Sequence, residues 1–161
     1  MLKRISGIVA FLVAVAMAGP GWAGPLENEL VAYLVQTDAS GKESLTRTTA
    51  AAPGEIIEYR LIYHNAGSGE LSGLVVDGPI PANTSYIAES ASSQVPNDFM
   101  VSIDGGKTWD REPVRRMKKG DSGQQEEVVI GPEDYTHLRW VALEPLSPKA
   151  RQEYRYRVRI E

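Results

Sequence analysis

The 161-residue chain contains no cysteine, only two histidines, and no apolar run long enough to cross a bilayer as a helix. Without cysteine there can be no disulfide, no thiolate metal site and no lipid anchor on a cysteine sulfur. Two histidines, His64 and His137, in no His-x-His or His-Glu spacing, offer a poor start for a metal centre, which needs three or four convergent ligands. The longest uncharged apolar stretch is residues 5–18, short of the about 20 residues that span a membrane. After it, no window repeats apolar residues at the 3.6-residue period of an amphipathic helix.

What is present begins with an address. Lys3 and Arg4 precede the apolar stretch, and the small-residue signatures Ala16-Met17-Ala18 and Gly21-Trp22-Ala23 follow it. This is the layout of a secretory signal peptide, with cleavage after Ala23 preferred over an uncleaved anchor because Gly19-Pro20-Gly21 interrupts the run. The expected organisation is a signal peptide at 1–23, an N-terminal strand and an edge strand at 24–49, and the main domain at 50–161. Removing Lys3 and Arg4 from 17 basic against 21 acidic residues leaves a net charge of about −6. An acidic exported domain is a poor candidate for nucleic-acid binding. A processed chain of about 138 residues can bury enough apolar surface to fold without disulfides, which fits a bacterial periplasmic or extracellular protein.

The clearest element is PGEIIEYRLIYHNAG, residues 53–67. Ile57, Tyr59, Leu61 and Tyr63 occupy alternate positions between two turn clusters, with Glu58, Arg60, Ile62 and His64 facing the other way. Further strands are expected at 30–37, 42–49, 71–77, 84–89, 99–104, 107–110, 138–143 and 154–160, separated by Gly, Pro, Asn and Asp clusters. The pattern predicts an all-β antiparallel sandwich of seven to eight strands. Its expected core is Ile57, Tyr59, Leu61, Tyr63, Val76, Tyr86, Trp140, Tyr154, Tyr156 and Val158. Arg151, Arg155, Arg157 and Arg159 read as charges protecting an edge strand.

Several of these segments in order resemble a known family. PGEIIEYRLIYHNAG, then Leu74-Val75-Val76-Asp77 with Pro79 and Pro81, then Asn83-Thr84-Ser85-Tyr86, are similar to the conserved-repeat domain of unknown function, number eleven. Thr136-His137-Leu138-Arg139-Trp140, Leu146-Ser147-Pro148 and the closing Tyr-x-Val-x-Ile strand extend the resemblance over about residues 50–160. The resemblance implies an Ig-like sandwich of bacterial or archaeal envelope and surface proteins, with no catalytic residues. This chain departs from the family in holding a single copy and a charged insertion at 111–134.

Two motifs stand out as candidate sites. Ser102-x-Asp104-x-Gly106-x-Thr108-Trp109 fits the Asp-box pattern, a structural hairpin in which the Asp accepts backbone N–H bonds, Gly takes positive φ and the aromatic packs inward. The cluster Arg111, Arg115, Arg116, Lys118 and Lys119 is a candidate partner-contact loop for an anionic surface such as a glycan or lipid head group. Asp38, Asp77, Asp98, Asp104, Asp110 and Asp121 have no calcium-loop spacing. No nucleophile, carboxylate pair or phosphate loop is arranged for catalysis. The expected function is therefore a non-enzymatic exported module, without cofactor or metal, that has a structural or protein-interaction role with an envelope or surface protein. The alternative is a module that binds carbohydrate or an anionic polymer through the 111–119 loop. A glycoside hydrolase fragment rests on the Asp-box alone.

Overall fold

The structure, a computed structural model, describes residues 24–120 and 122–161 and, ahead of them, the strand pairing of Val9–Ala10. Except for that pair, the expected signal peptide lies outside the described residues, as does Asp121. In chain order the strands are β1 (Val9–Ala10), β2 (Leu26–Thr37), β3 (Glu43–Arg47), β4 (Ala50–Ala51), β5 (Ile56–Asn65), β6 (Val75–Pro79) and β7 (Thr84–Tyr86). They continue with β8 (Ser92–Ser93), β9 (Asn97–Ser102), β10 (Arg115–Lys119), β11 (Gln125–Val129), β12 (His137–Ala142) and β13 (Arg151–Ile160). The only helix among the described residues is a 3-10 turn at Pro132–Asp134.

The fold is all-β and every pairing is antiparallel, as the alternating patterns predict. A six-stranded sheet runs in the order β3-β2-β5-β13-β7, with β8 also paired to β13. A three-stranded sheet runs β6-β12-β9. The strand expected at 53–67 sits at the heart of the large sheet. Its Leu61 is flanked by Leu30 on β2 and Tyr154 on β13, and Tyr59 by Ala32 and Tyr156. One difference concerns β13. It pairs with β5 on one side and with β7 and β8 on the other, so it is an interior strand and its arginines protect no edge. Polar alternation marks a solvent-facing side of a strand, and that side exists on interior strands as well as at edges.

The two sheets meet through aromatic side chains. Trp140 of β12 lies 5.9 Å from the Tyr154 ring and 6.1 Å from the Tyr156 ring of β13, and Phe99 of β9 tilts against its other flank at 5.4 Å. Such pairs add to the burial of large apolar surfaces. Gly78 lets the sheets approach at this point. A Cβ there would meet Tyr156 Cε1 at 2.9 Å and Trp140 Cζ3 at 3.1 Å. Every expected core residue is buried except Tyr63, which is half-buried and edge-on to Tyr154. Leu138, Leu146, Val101 and Ile160 belong to the same core, with Leu74, Tyr135 and Ala142 among others.

The insertion at 111–134 differs from the irregular loop its composition suggests. Arg115–Lys119 and Gln125–Val129 form a hairpin that stands as its own two-stranded sheet. Its turn closes through bonds from Gly120 N to Gln124 O and from Gly123 N to Gly120 O, with Gly123 at φ 85°. Val114 and Ile130, just outside the strands, are buried in the sandwich core and anchor the hairpin's base. Most of the hairpin is exposed on both faces, so its sequence carries no apolar alternation to reveal it.

Candidate functional site

The Asp-box segment is built around Asp104. Its Oδ1 accepts from Ser102 Oγ at 2.8 Å, Thr108 N at 2.9 Å and Lys107 N at 3.1 Å, and its Oδ2 accepts from Thr108 Oγ1 at 2.7 Å. The Thr108 hydroxyl and backbone N–H, with the Ser102 hydroxyl, hold the Asp104 carboxyl well below the usual carboxylate range. Ser102 Oγ in turn accepts from Gly106 N at 2.9 Å, and both Gly105 and Gly106 have positive φ, at 77° and 82°. Ser102, Asp104, Gly106 and Thr108 thus form one closed turn, and their polar groups are engaged with one another.

Trp109 departs from the inward packing expected of such a motif. It lies on the outer side of the three-stranded sheet, where the Arg139 guanidinium stacks 3.8 Å from its ring centroid. Arg139 alternates with the buried Leu138 and Trp140, so it faces away from the core. Its guanidinium also makes a two-pronged bond to Asp77, at 2.7 Å from each donor, and His137 meets the Trp109 ring edge-on at 6.5 Å. The inner side at this level is already filled by Leu138 and Trp140, which leaves the indole the solvent side.

The cationic cluster is largely neutralised within the fold. Arg111 pairs with Asp98 at 2.9 Å, Arg115 with Glu127 at 2.6 Å, and Arg116 with Asp110. The Arg116 contact pulls the Asp110 carboxyl down and the guanidinium up. Lys118 and Lys119 have no ion-pair partner among the described residues. Cross-strand pairing also puts Met117 opposite Glu127 and Arg115 opposite Val129, so these four side chains share one face. Met117 and Val129 are 58% and 60% exposed, which gives that face an apolar character unusual for a charged hairpin.

The outer face of the large sheet holds the most buried charge of the described residues. Glu58, 3% exposed, accepts from Arg60 Nε at 2.8 Å and from Arg157 Nε at 3.0 Å. Arg157 also grips both oxygens of Glu43 at 2.8 and 2.9 Å. His64, on the same outward side of β5, sits 3.0 Å from Glu27 through Nδ1. The buried tyrosines are likewise engaged. Burial pushes the Tyr154 phenol up to about 12, and its hydroxyl donates to Gln152 Oε1 at 2.8 Å. The Tyr156 phenol, likewise raised well above its ordinary value by burial, donates to the Pro79 carbonyl.

Taken together, these side chains spend their hydrogen-bonding capacity on each other and on the backbone. Among the described residues no buried side-chain N or O lacks a partner, and no three His, Asp or Glu converge as metal ligands would. No described helix is long and apolar enough to cross a membrane. Searches with this chain match no family model, no curated protein and no solved structure.

Proposed function

We propose that this chain is an exported, non-enzymatic Ig-like module with a structural or protein-interaction role in the bacterial cell envelope. The observation that carries the reading is the β10–β11 hairpin. It stands apart from both sheets of the sandwich, and its outward face combines Met117 and Val129 with the Arg115–Glu127 pair. A two-stranded hairpin is marginally stable alone. This one is held at its base by Val114 and Ile130, leaving its strand edges and exposed apolar side chains available to another chain. The leader-like N-terminus supports export, and the ordered resemblance to the conserved-repeat domain supports the envelope setting. Because Arg111, Arg115 and Arg116 are paired internally, the 111–119 segment offers chiefly two lysines to an anionic polymer.

The test uses cross-linking in the native envelope. The full chain is expected to cross-link a partner, and a variant with residues 117–127 replaced by an Asn-Gly turn, which keeps Arg116 and the core-packed Val128, is expected to lose it while keeping its melting temperature. Equal cross-linking by both forms would refute the role of the hairpin. N-terminal sequencing of the processed protein should begin at Gly24, and a product beginning at Met1 would refute export by a cleaved leader.

A further inference from the structure

The arginines of β13 have no edge to protect, and they do not all serve the fold. Arg157 is consumed by Glu58 and Glu43. The Arg159 side chain makes no hydrogen bond or ion pair among the described residues, and Arg155 spends only its Nε, on Ser92 Oγ at 2.8 Å. Both are exposed, on the solvent side of an interior strand. They line a cleft of about 530 Å³ between the outer face of the large sheet and the segment that follows β7. Ile56 and Ile87 add apolar surface to the same cleft, and Glu89 adds a carboxylate with no hydrogen-bond partner among the described residues.

We propose that this cleft binds an acidic saccharide. The chemistry of its lining defines the ligand. Two guanidiniums with free terminal N–H donors call for carboxylates, which they can grip with two parallel bonds. The unengaged Glu89 carboxylate accepts hydrogen bonds and repels a second anion, so it calls for hydroxyl donors beside the acid group. Ile56 and Ile87 suit the C–H faces of a sugar ring. A bare inorganic anion would use only the first of these features. Arg155 and Arg159 stand four residues apart on one strand, about 14 Å between Cα atoms, so a chain of sugar units rather than a single one would engage both. Arg157 and Glu58 also line the cleft and are paired with each other, so Arg155 and Arg159 are its uncompensated cations, whereas all three arginines of the 111–119 cluster are paired.

Titration calorimetry of the full chain with oligogalacturonate tests the proposal, with the methyl-esterified oligomer and inorganic phosphate as comparison ligands. Binding of the acid oligomer is expected, weakened about tenfold by esterification and about tenfold by R159Q, since each removes charge-assisted bonds. R155Q/R159Q should weaken it further, and K118Q/K119Q should leave it unchanged. Because the Arg159 side chain bonds to nothing among the described residues, R159Q separates ligand recognition from folding, and an unchanged melting curve verifies this. The proposal is overturned if the esterified oligomer binds as well as the acid, if R159Q has no effect, or if phosphate binds as tightly as the oligomer.

Discussion

Replacing Arg157 by Met should destabilise the sandwich through Glu58, 99 residues away in sequence. Glu58 is a carboxylate at 3% exposure whose two oxygens have separate partners. Oε1 receives Arg60 Nε at 2.8 Å, whereas Oε2 receives only Arg157 Nε at 3.0 Å. Met fills most of the volume of the arginine stem but donates nothing, so Oε2 would be left without a donor in a position that water reaches poorly. Removing one partner of a buried charge costs about 3–5 kcal/mol when the charge is left bare. Arg60 still neutralises Glu58, which lowers the expected cost to about 2–3 kcal/mol. Losing the Glu43 contact adds little, because that pair faces solvent and is screened. For a domain of this size the loss corresponds to a fall in Tm of roughly 6–10 °C. Thermal and urea unfolding of R157M, E58M and the double variant close a thermodynamic cycle. The double variant should recover much of the loss, with a coupling of about 2 kcal/mol, since replacing both partners of a buried pair by apolar groups can be nearly neutral. Strict additivity, or an R157M variant within 2 °C of the parent, would refute the account of Glu58.

Asp104→Ala should lower Tm by undoing the turn around Ser102 and Thr108, and an unchanged Tm would mean that the turn is held by its glycines alone. Because the Asp104 pKa is depressed by folding, its contribution is present above the ordinary carboxylate range and is lost as pH falls through and below it; the parent should therefore lose stability below about pH 4 more steeply than the variant in an acid titration followed by circular dichroism. Gly78→Ala should cost about 1–3 kcal/mol, because the new methyl collides with the Tyr156 and Trp140 rings, and would register as a lower urea midpoint at unchanged slope. At high pH the sign reverses from that of Asp104: the Tyr154 phenol is raised to about 12, so its neutral form stabilises the fold below the ordinary tyrosine range near 10 and that stability is lost as pH rises from there through about 12. Ultraviolet titration should show Tyr154→Phe removing a late-titrating phenol, and an early phenolate in the folded parent would contradict the burial.

How much of this was legible in the sequence depended on the range of the interaction. Alternation over 57–63 and 154–160 located both strands of the sheet centre and the part of the core they carry, because each period-two pattern is written within a single segment. The Asp-box turn was legible for the same reason: the bonds at Asp104 to Ser102, Lys107 and Thr108 span four residues or fewer. The placement of strands within the sheet was not. The pattern of β13 fits an edge or an interior strand equally well, and only its neighbours, β5 on one side and β7 and β8 on the other, decide between them. The same limit hid the burial of Glu58, which depends on Arg157, and the stacking of Trp109 on Arg139, whose own anchor Asp77 is 62 residues distant.

That limit also governed the assignment of charge. The cations of the 111–119 cluster are adjacent in sequence, yet adjacency says nothing of compensation. Asp98, Asp110 and Glu127 reach Arg111, Arg116 and Arg115 from before the hairpin and from its second strand. Arg155 and Arg159 look like two more members of an evenly charged row, and the fold separates them from Arg157 by giving that residue alone a pair of carboxylates. A cation becomes available for recognition when the fold leaves its donors unspent, and by that measure the outer face of β13, rather than the most basic stretch of the chain, is where an acidic ligand would find them.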